Sequence, residues 1–442
     1  MKRRQESGQL CYDSDRSCME NSSALTQFRQ MKYGLFIHFG LYSLLGGEWQ
    51  GQITPGLAEW IQNDLNIPVD EYARLAKRFD PKHFDARHIA SKAKQWGMKY
   101  LCFTAKHHDG FALFDTQVSD FNSVKASPCQ RDFVAELADA CRQEGLKFCL
   151  YYSQAQDWHH AGGYRAYQHD KKQNDAQAFE AYFESICLPQ VRELLSHYGE
   201  IGMLWFDTPM NMTLEQSQKL VALVKSLQAD CLINGRIGHG LGDYLSMADN
   251  RIPRGAIKSA WEVPVTLNQS WGYKASDEAW TSPAELIKKW LKIISRGGNI
   301  LLNVGPRDDG SLPEDSTTIL DTIGAFLTRN AEAFYHTLPT PEYVFELDGV
   351  YFTHKPGLLY ITVLEPKKWT GKWLSLYHMK SIATQASFLA SGDTLELRVG
   401  KDLEGFGHWA IRLPETLYAE DKLGWVIKVA LESENFEVEA LE

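Results

Sequence analysis

The stretch Gly202-Met-Leu-Trp-Phe-Asp207 places four large apolar residues directly before an aspartate, and an amphipathic stretch follows at 213–227. A short apolar run of this kind is typical of a buried parallel strand, and the stretch after it has the period of a helix. The same unit recurs along the chain. Strands are predicted at 33–38, 100–104, 147–153, 202–207, 231–234, 259–265 and 299–304, and helices at 69–79, 86–96, 132–144, 175–198, 213–227 and 283–295.

Alternation of strands and helices favours an α/β fold with a parallel sheet, either a (β/α)8-like barrel or a doubly wound sheet. The sequence has no Gly-x-Gly-x-x-Gly turn to support the doubly wound alternative. We therefore predict a (β/α)8-like barrel. One helix start is marked locally, because Ser282, Pro283 and Glu285 form the pattern of a capping box with proline in the first turn.

The pattern changes after residue 338, where helical periodicity gives way to short alternating strands separated by turn residues. This pattern predicts a C-terminal antiparallel β-sandwich. We predict a polar mobile arm over 1–22, a catalytic barrel domain over 23–338 and the sandwich over 339–442. Strands of the sandwich are expected at 343–347, 350–354, 358–363, 373–378, 395–399, 409–413 and 425–430.

Composition and charge exclude several classes of protein. The 442 residues carry a formal net charge of -10 and no long basic stripe, which argues against nucleic acid as a partner. No apolar run is long enough to cross a bilayer, so no membrane partner is expected. The basic start Met1-Lys-Arg-Arg4 lacks the apolar region of a signal peptide, and the eight cysteines are scattered, so a cytoplasmic localisation is expected.

Polar residues follow several of the predicted strands, and in a barrel the carboxyl ends of the strands meet around one site. Asp207 and Glu262 are predicted to stand at two such ends. A pair of carboxylates is what hydrolysis of a glycosidic bond requires, one to attack the sugar and one to protonate the leaving oxygen. The structural alternatives are that Asp207 caps the helix at 213–227 and that Glu262 pairs with an arginine such as Arg236.

His107, His108 and Asp109 could be read as metal ligands, but no further histidine motif completes a ligand set. Hydrogen bonds to sugar hydroxyls and a role in the core are the alternatives. We expect no metal and no cofactor. Tryptophans such as Trp49 and Trp205 are ambiguous in the same way, because aromatic rings serve both sugar sites and cores.

These residues together resemble glycoside hydrolase family 29, the α-L-fucosidases, across about residues 24–336. The resemblance includes the sandwich that follows the barrel. It rests on the following motifs: Met31-Lys-Tyr-Gly-Leu-Phe-Ile-His-Phe-Gly40, Glu48-Trp49, Thr104-Ala-Lys-His-His-Asp-Gly-Phe111, Tyr151-Tyr-Ser153, Leu204-Trp-Phe-Asp207, Asn234-Gly-Arg236, Trp261-Glu262, Ser270-Trp-Gly-Tyr273 and Gly297-Gly-Asn-Ile-Leu-Leu-Asn-Val-Gly-Pro306.

The resemblance implies a retaining exo-α-L-fucosidase that acts through a covalent glycosyl-enzyme intermediate, with Asp207 as nucleophile and Glu262 as acid/base. Glu48 is a second candidate for the acid/base. The residues implied to bind the sugar are His38, Glu48, Trp49, His107, His108, Tyr151, Trp205 and Arg236.

The expected substrate is a fucosylated oligosaccharide or glycoconjugate, and a homo-oligomer is left open. The alternatives are a catalytically inactive carbohydrate-binding protein on a degenerate barrel and an exo-glycosidase for a related sugar such as α-L-galactose. Asn234 departs from the family pattern, since many members have an aspartate before the arginine.

Overall fold

The computed structural model describes residues 22–165, 175–255, 257–340, 347–416 and 422–439. The arm predicted over 1–22 lies, except for Ser22, outside these ranges, and so does most of the strand predicted at 343–347. No helix within the described ranges is both long enough and apolar enough to cross a membrane.

A parallel eight-stranded sheet forms the first part of the chain and confirms the predicted (β/α)8-like barrel. Its order is β5-β4-β3-β2-β1-β8-β7-β6, and a parallel bridge between Asn234 and Tyr244 joins its two outer strands. The strands are β1 (Tyr33–Ile37), β2 (Tyr100–Lys106), β3 (Lys147–Tyr152), β4 (Met203–Phe206), β5 (Leu232–Ile233), β6 (Leu245–Ser246), β7 (Trp261–Thr266) and β8 (Asn299–Val304).

Helices follow most of these strands, and their starts have local causes. Ser282 and Glu285 form the capping box predicted for the helix at 283–295, and Thr213 and Gln216 form another. The helices are α1 (Ser23–Met31), α2 (Leu41–Leu45), α3 (Ile61–Asp64), α4 (Val69–Ala73), α5 (Ala86–Gln95), α6 (Phe133–Glu144), α7 (Ala176–Tyr182), α8 (Leu188–His197), α9 (Leu214–Leu227), α10 (Pro283–Ser295) and α11 (Glu314–Arg329); a π-helical turn, Phe183–Cys187, joins α7 to α8.

The sequence prediction misses several elements, among them the sandwich strand Ala383–Phe388, and two further differences bear on the site. The strand β6 was not predicted, because two residues are too few to show a pattern. Trp261 and Glu262 begin β7, whereas the sequence prediction placed them at the carboxyl end of a strand. Since β7 continues to Thr266, its carboxyl end lies four residues beyond Glu262.

The barrel interior is built by the alternation of side chains along each strand. In β4, Met203 and Trp205 belong to the cluster inside the barrel, while Leu204 and Phe206 pack outward against the helices. The amino-terminal end of the barrel is closed by α1, where the backbone carbonyl of Phe28 accepts a hydrogen bond from Asn299 Nδ2 at 2.6 Å.

Two antiparallel sheets follow the barrel and confirm the predicted sandwich. They share a core that includes Leu359, Leu374, Trp409 and Ile427. The strands are β9 (Leu338–Pro339), β10 (Val350–Lys355), β11 (Leu358–Leu364), β12 (Trp373–Tyr377), β13 (Ala383–Phe388), β14 (Thr394–Leu395), β15 (Leu397–Lys401), β16 (Gly407–Arg412) and β17 (Gly424–Leu431), in the orders β9-β10-β11-β17-β13-β14 and β12-β16-β15.

Candidate active site

A cavity of about 330 Å³ opens at the carboxyl ends of the barrel strands. This volume suits a small ligand, and the position is where barrel enzymes carry their sites. Seven of the residues predicted for a site line it: His38, His107, His108, Tyr151, Trp205, Asp207 and Arg236. Other side chains that line it are Phe36, Leu57, Glu59, Trp60, Asp64, Thr208, Asp249 and Trp271.

Asp207 directly follows β4 and is 8% exposed. Its Oδ1 accepts hydrogen bonds from Arg236 Nη1 at 2.9 Å and from the backbone N–H of Thr208 at 2.9 Å. Its Oδ2 accepts one from the hydroxyl of Tyr151 at 3.1 Å. Burial raises the pKa of this carboxyl, but the charge of Arg236 and the hydrogen bonds outweigh burial, and the net pKa is lowered. Asp207 is therefore ionised at neutral pH.

The helix-cap alternative for Asp207 is wrong, because Thr213 is the N-cap of α9. The backbone N–H of Asp207 is held instead by the side-chain oxygen of Gln154 at 2.9 Å. Asn234 holds the backbone of Phe206, the residue before Asp207. Its side chain accepts a hydrogen bond from the N–H of Phe206 at 2.8 Å and donates one to the carbonyl of Phe206 at 2.9 Å. An amide can make this reciprocal pair, whereas a carboxylate could accept only.

Arg236 lies in a short turn after β5 and joins two carboxylates. One nitrogen of its guanidinium donates to Asp207, and the other donates to Asp249. The Asp249 side chain is 45% exposed, and it stands in a loop after β6 that is held against β7 by the hydrogen bond from Asn250 N to the carbonyl of Pro264 at 2.9 Å. The cavity thus contains one buried and one accessible carboxylate on the same arginine.

Two histidines present acceptor nitrogens in the cavity. His38 Nδ1 lies 2.7 Å from Asn303 Oδ1, and Asn303 is oriented by donating from Nδ2 to the carbonyl of Trp271 at 2.7 Å. His108 Nδ1 lies 2.7 Å from Ser153 Oγ, whose hydroxyl donates to the carbonyl of Gln156. In both rings Nδ1 therefore carries the hydrogen and Nε2 is the acceptor.

Burial keeps these rings neutral. It lowers the pKa of His38 to about 3 and the pKa of His108 to about 4, and it lowers the pKa of His107 well below the usual range. His107 stacks on Tyr151 with ring centroids 5.2 Å apart. Neutral imidazoles of this kind can accept hydrogen bonds from sugar hydroxyls.

The side chain of Asp109 does not form a common metal site with His107 and His108. Its carboxylate accepts hydrogen bonds from the Tyr72 hydroxyl at 3.0 Å and the Phe111 N–H at 3.2 Å. His108, by contrast, is held by Ser153. Within the described ranges, no group of three histidine, cysteine or acidic side chains could hold a metal ion.

Aromatic rings form one side of the cavity. Phe36 contacts Trp205 edge-on at 5.1 Å between centroids, and Tyr151 stacks on Trp205 at 5.7 Å. Trp271 lies 6.0 Å from Phe36. These apolar faces are suited to the C–H surface of a sugar, while the carboxylates, histidines and arginine face its hydroxyls.

Three predicted site residues do not line the cavity. Glu48 is exposed and Trp49 is half-buried in a short hairpin of Glu48–Trp49 with Gln52–Ile53. Glu262 is fully buried below Trp205, where it accepts hydrogen bonds from the Trp205 indole and the Tyr100 hydroxyl. Its place at the start of β7 turns it toward the amino-terminal end of the barrel interior.

Sequence reasoning missed three carboxylates of the cavity, Asp249, Glu59 and Asp64. Asp249 was missed with the short strand β6 that precedes it. Glu59 accepts a hydrogen bond from the N–H of Gly272 at 2.9 Å, and burial raises its pKa to about 7. The pair Glu59-Trp60 repeats the Glu-Trp pattern of residues 48 and 49, which is a signal that could have found it.

Comparison with known proteins shows the family of this chain. The sequence profile described as alpha-L-fucosidase matches residues 1–332. The plasma alpha-L-fucosidase of Homo sapiens is 30% identical over 396 residues, which cover 83% of this chain and 82% of that protein.

Solved structures of α-L-fucosidases have a similar fold. An alpha-L-fucosidase from Vibrio sp. strain EJY3 is 30% identical with a TM-score of 0.88, covering 96% of this chain and 75% of that one. The alpha-L-fucosidase AlfC from Lactobacillus casei, in complex with its alpha-L-fucose product, is 40% identical with a TM-score of 0.64, covering 70% of this chain and 99% of that one. The chain belongs to the α-L-fucosidase family of glycoside hydrolases.

Proposed function

We propose that this chain is an exo-acting, retaining α-L-fucosidase with Asp207 as nucleophile and Asp249 as acid/base. The observation that carries the proposal is the pair of carboxylates joined by Arg236 in one small cavity. Retaining glycosidases need two carboxyl groups only about 5–5.5 Å apart, and a shared guanidinium holds two carboxylates at short range. The solved relative with bound α-L-fucose supports the choice of sugar.

In the first step, an Asp207 oxygen attacks the anomeric carbon and forms an ester, and the bond from that carbon to the leaving oxygen breaks. Asp249 donates a proton to the leaving oxygen. In the second step, Asp249 takes a proton from water and the water oxygen bonds to the anomeric carbon. The bond between the anomeric carbon and the Asp207 oxygen then breaks, which returns ionised Asp207. Two displacements on opposite faces retain the α configuration.

The ionisation of Asp207 supports its role as nucleophile, since a protonated carboxyl would attack poorly. Asp249 is preferred as the acid because it is exposed at the mouth, where both a leaving group and water can reach it. Glu59 is the competing acid, because its raised pKa suits proton donation, but its side chain is buried and has no contact with Arg236 in the described structure. A general acid must lie within reach of the leaving oxygen before its pKa matters, and this favours Asp249.

The cavity supports exo action on one terminal sugar. Its floor is closed by the Trp205 ring, and its volume of about 330 Å³ suits a single sugar unit. The acceptor nitrogens of His38 and His108 suit the sugar hydroxyls, and the faces of Phe36 and Tyr151 suit the C6 methyl group of fucose. A hydroxyl on C6, as in α-L-galactose, would lose water in this apolar region without gaining a partner.

The test is turnover of 4-nitrophenyl α-L-fucoside followed by proton NMR from the first seconds. We expect release of nitrophenol, with α-fucose formed first and β-fucose appearing later by mutarotation. β-Fucose formed first would exclude retention. Binding of fucose without any release of nitrophenol would instead favour a carbohydrate-binding protein, and faster turnover of the α-L-galactoside would overturn the choice of sugar.

A further inference from the structure

Glu262 is a fully buried carboxylic acid inside the barrel, and the catalytic steps do not use it. The hydroxyl of Tyr100 donates to its Oε2 at 2.6 Å, and the indole N–H of Trp205 donates to its Oε1 at 3.0 Å. Its partner across the sheet is Asn299, which is bonded to the helix that closes the amino-terminal end. Glu262 therefore lies beneath the floor of the cavity.

Trp205 connects this buried acid to the cavity. Its indole N–H points down to Glu262, while its ring forms the floor and carries the Arg236 guanidinium 4.7 Å from the ring centroid. The same ring stacks on Tyr151, whose hydroxyl donates to Asp207. A rotation of the indole would therefore disturb two of the three groups that donate hydrogen bonds to Asp207.

We propose that Glu262 is a positioning residue, whose carboxyl group fixes the rotation of the Trp205 indole and thereby the place of the Arg236 guanidinium beside Asp207 and Asp249. It acts through Trp205 and does not touch the sugar. The proposal rests on the proposed function for the catalytic roles of Asp207 and Asp249, and it gives Glu262 a different role from the proton transfer implied by the family resemblance.

The surroundings of Glu262 are arranged to hold a carboxyl group. Burial raises its pKa to about 7, so keeping an acid here is costly unless its oxygens are hydrogen-bonded. The Tyr100 hydroxyl reaches it because position 34 is glycine: a Cβ atom there would lie 2.3 Å from the Tyr100 ring. An apolar side chain at position 262 would leave the buried indole N–H of Trp205 without this acceptor, and the Tyr100 hydroxyl would retain only the carbonyl of Ile300 at 3.4 Å.

Proton donation by Glu262 meets two obstacles. Each carboxyl oxygen is occupied by a donor from the protein, and the side chain has no exposed surface. Glu262 does not line the cavity, whereas Trp205, whose indole N–H it accepts, does. A general acid must come within hydrogen-bond reach of the oxygen it protonates.

The experiment compares Glu262→Gln with Glu262→Leu in the full chain. Gln keeps an acceptor for the indole N–H, so we expect kcat/KM within about threefold of the unmodified enzyme. Leu removes both acceptors, and we expect kcat/KM to fall about 10–100-fold, with the same factor for 4-nitrophenyl and phenyl α-L-fucosides. The ultraviolet resonance Raman band that reports indole N–H hydrogen bonding should shift in Leu and persist in Gln, with Trp205→Phe identifying the contribution of that indole.

A double-mutant cycle separates positioning from a general loss of stability. In the Trp205→Phe background the indole N–H is absent, so Glu262→Leu should cause much less than its 10–100-fold effect; Tyr100→Phe is the matched cycle for the other donor. An undiminished effect in the Trp205→Phe background would overturn the proposal. So would a Glu262→Gln enzyme that is impaired much more on phenyl than on 4-nitrophenyl fucoside and is rescued by azide, because that pattern belongs to an acid/base.

Failure of the proposed function would look different. If the unmodified protein released neither nitrophenol nor phenol from the two fucosides, the catalytic roles proposed for Asp207 and Asp249 would be wrong. The positioning role would then be judged by the Raman band together with calorimetric affinity for L-fucose, which Glu262→Leu should weaken and Glu262→Gln should keep. If Glu262→Leu does not fold, Glu262→Gln alone decides, by its leaving-group dependence and its indole band.

Discussion

The guanidinium carbon of Arg236 lies 4.7 Å from the centroid of the Trp205 ring. Stacking of this kind restrains the plane of the guanidinium, and its two outer nitrogens are then aimed at Asp207 and Asp249. The arrangement brings two carboxyl groups onto one cation. The proposed catalytic pair therefore depends on the Trp205 ring as well as on the charge of Arg236.

Replacement of the nucleophile should abolish the first step for every substrate. We expect Asp207→Ala to lower kcat by on the order of 10⁴-fold or more on both activated and natural fucosides, because no other group forms the ester. Added azide should occupy the vacated space and yield β-fucosyl azide. The measurements are steady-state kinetics and NMR of the azide product. Retention of more than a hundredth of the activity would contradict the assignment.

Replacement of the acid should depend on the leaving group. Asp249→Ala is expected to lower kcat/KM by about 10²–10⁴-fold on phenyl fucoside and much less on 4-nitrophenyl fucoside, since nitrophenol departs without a proton. Azide should restore turnover and yield α-fucosyl azide. Glu59→Gln is the matched comparison. If Glu59→Gln shows this leaving-group dependence and Asp249→Ala does not, the acid role passes to Glu59.

The charge of Arg236 should be visible in the pH profile. Arg236 holds the pKa of Asp207 low, and catalysis needs ionised Asp207, so Arg236→Met should raise that pKa and move the acid limb of kcat/KM about 1–2 pH units upward. Arg236→Lys retains the positive charge but loses the forked geometry. We expect it to move the limb less while still lowering kcat. An unmoved limb in Arg236→Met would show that this limb does not report Asp207.

A buried ion pair beside the site should matter for stability. Lys106 Nζ lies 2.7 Å from Asp157 Oδ2 with both side chains fully buried, so Asp157→Asn would leave an uncompensated charge and cost about 3–5 kcal/mol of unfolding free energy. Burial raises the pKa of Asp157, but Lys106 and His160 lower it well below the usual range.

The contribution of Asp157 is therefore full above its unfolded pKa, about 3.9, and is lost as the pH falls through the lower folded value. Urea unfolding at pH 7, and then at falling pH, measures it. Lys94→Ala, which breaks the more exposed pair with Glu144, is the control and should change stability much less. Equal losses in the two variants would contradict the prediction.

The sandwich should be needed for a soluble barrel. Tyr360, Leu364 and Val426 of the sandwich strands belong to the main hydrophobic core, and the Tyr360 hydroxyl donates to Glu332 at 2.7 Å. Removal of 339–442 would expose this apolar surface, and we expect aggregation on expression. The check is the soluble fraction and gel filtration beside the full chain. A soluble, monomeric truncation with altered linkage preference would show that the sandwich shapes the substrate site instead.

Much of the fold could be predicted because its causes are local. The apolar run before Asp207 predicts β4, and the capping box at Ser282 predicts the start of α10, since each depends on neighbours in sequence. The polar residues after β1 through β5 predict a site at one end of the barrel for the same reason. His38, Tyr151 and Arg236 were found in this way and line the cavity.

What the sequence by itself determined is therefore the barrel, the sandwich and seven of the residues that surround the cavity, because apolar periodicity and strand ends depend on neighbouring residues. The tertiary structure decided which carboxylates can face a sugar. Trp261-Glu262 resembles a strand end, but the register of β7 against β8 pairs Glu262 with Asn299 and buries it below Trp205. Asp249 lies at the cavity beside Asp207 because the guanidinium of Arg236 donates a hydrogen bond to each of them. Strand register and the meeting of side chains at the cavity depend on residues far apart in the chain. A pattern of neighbouring residues therefore cannot predict them.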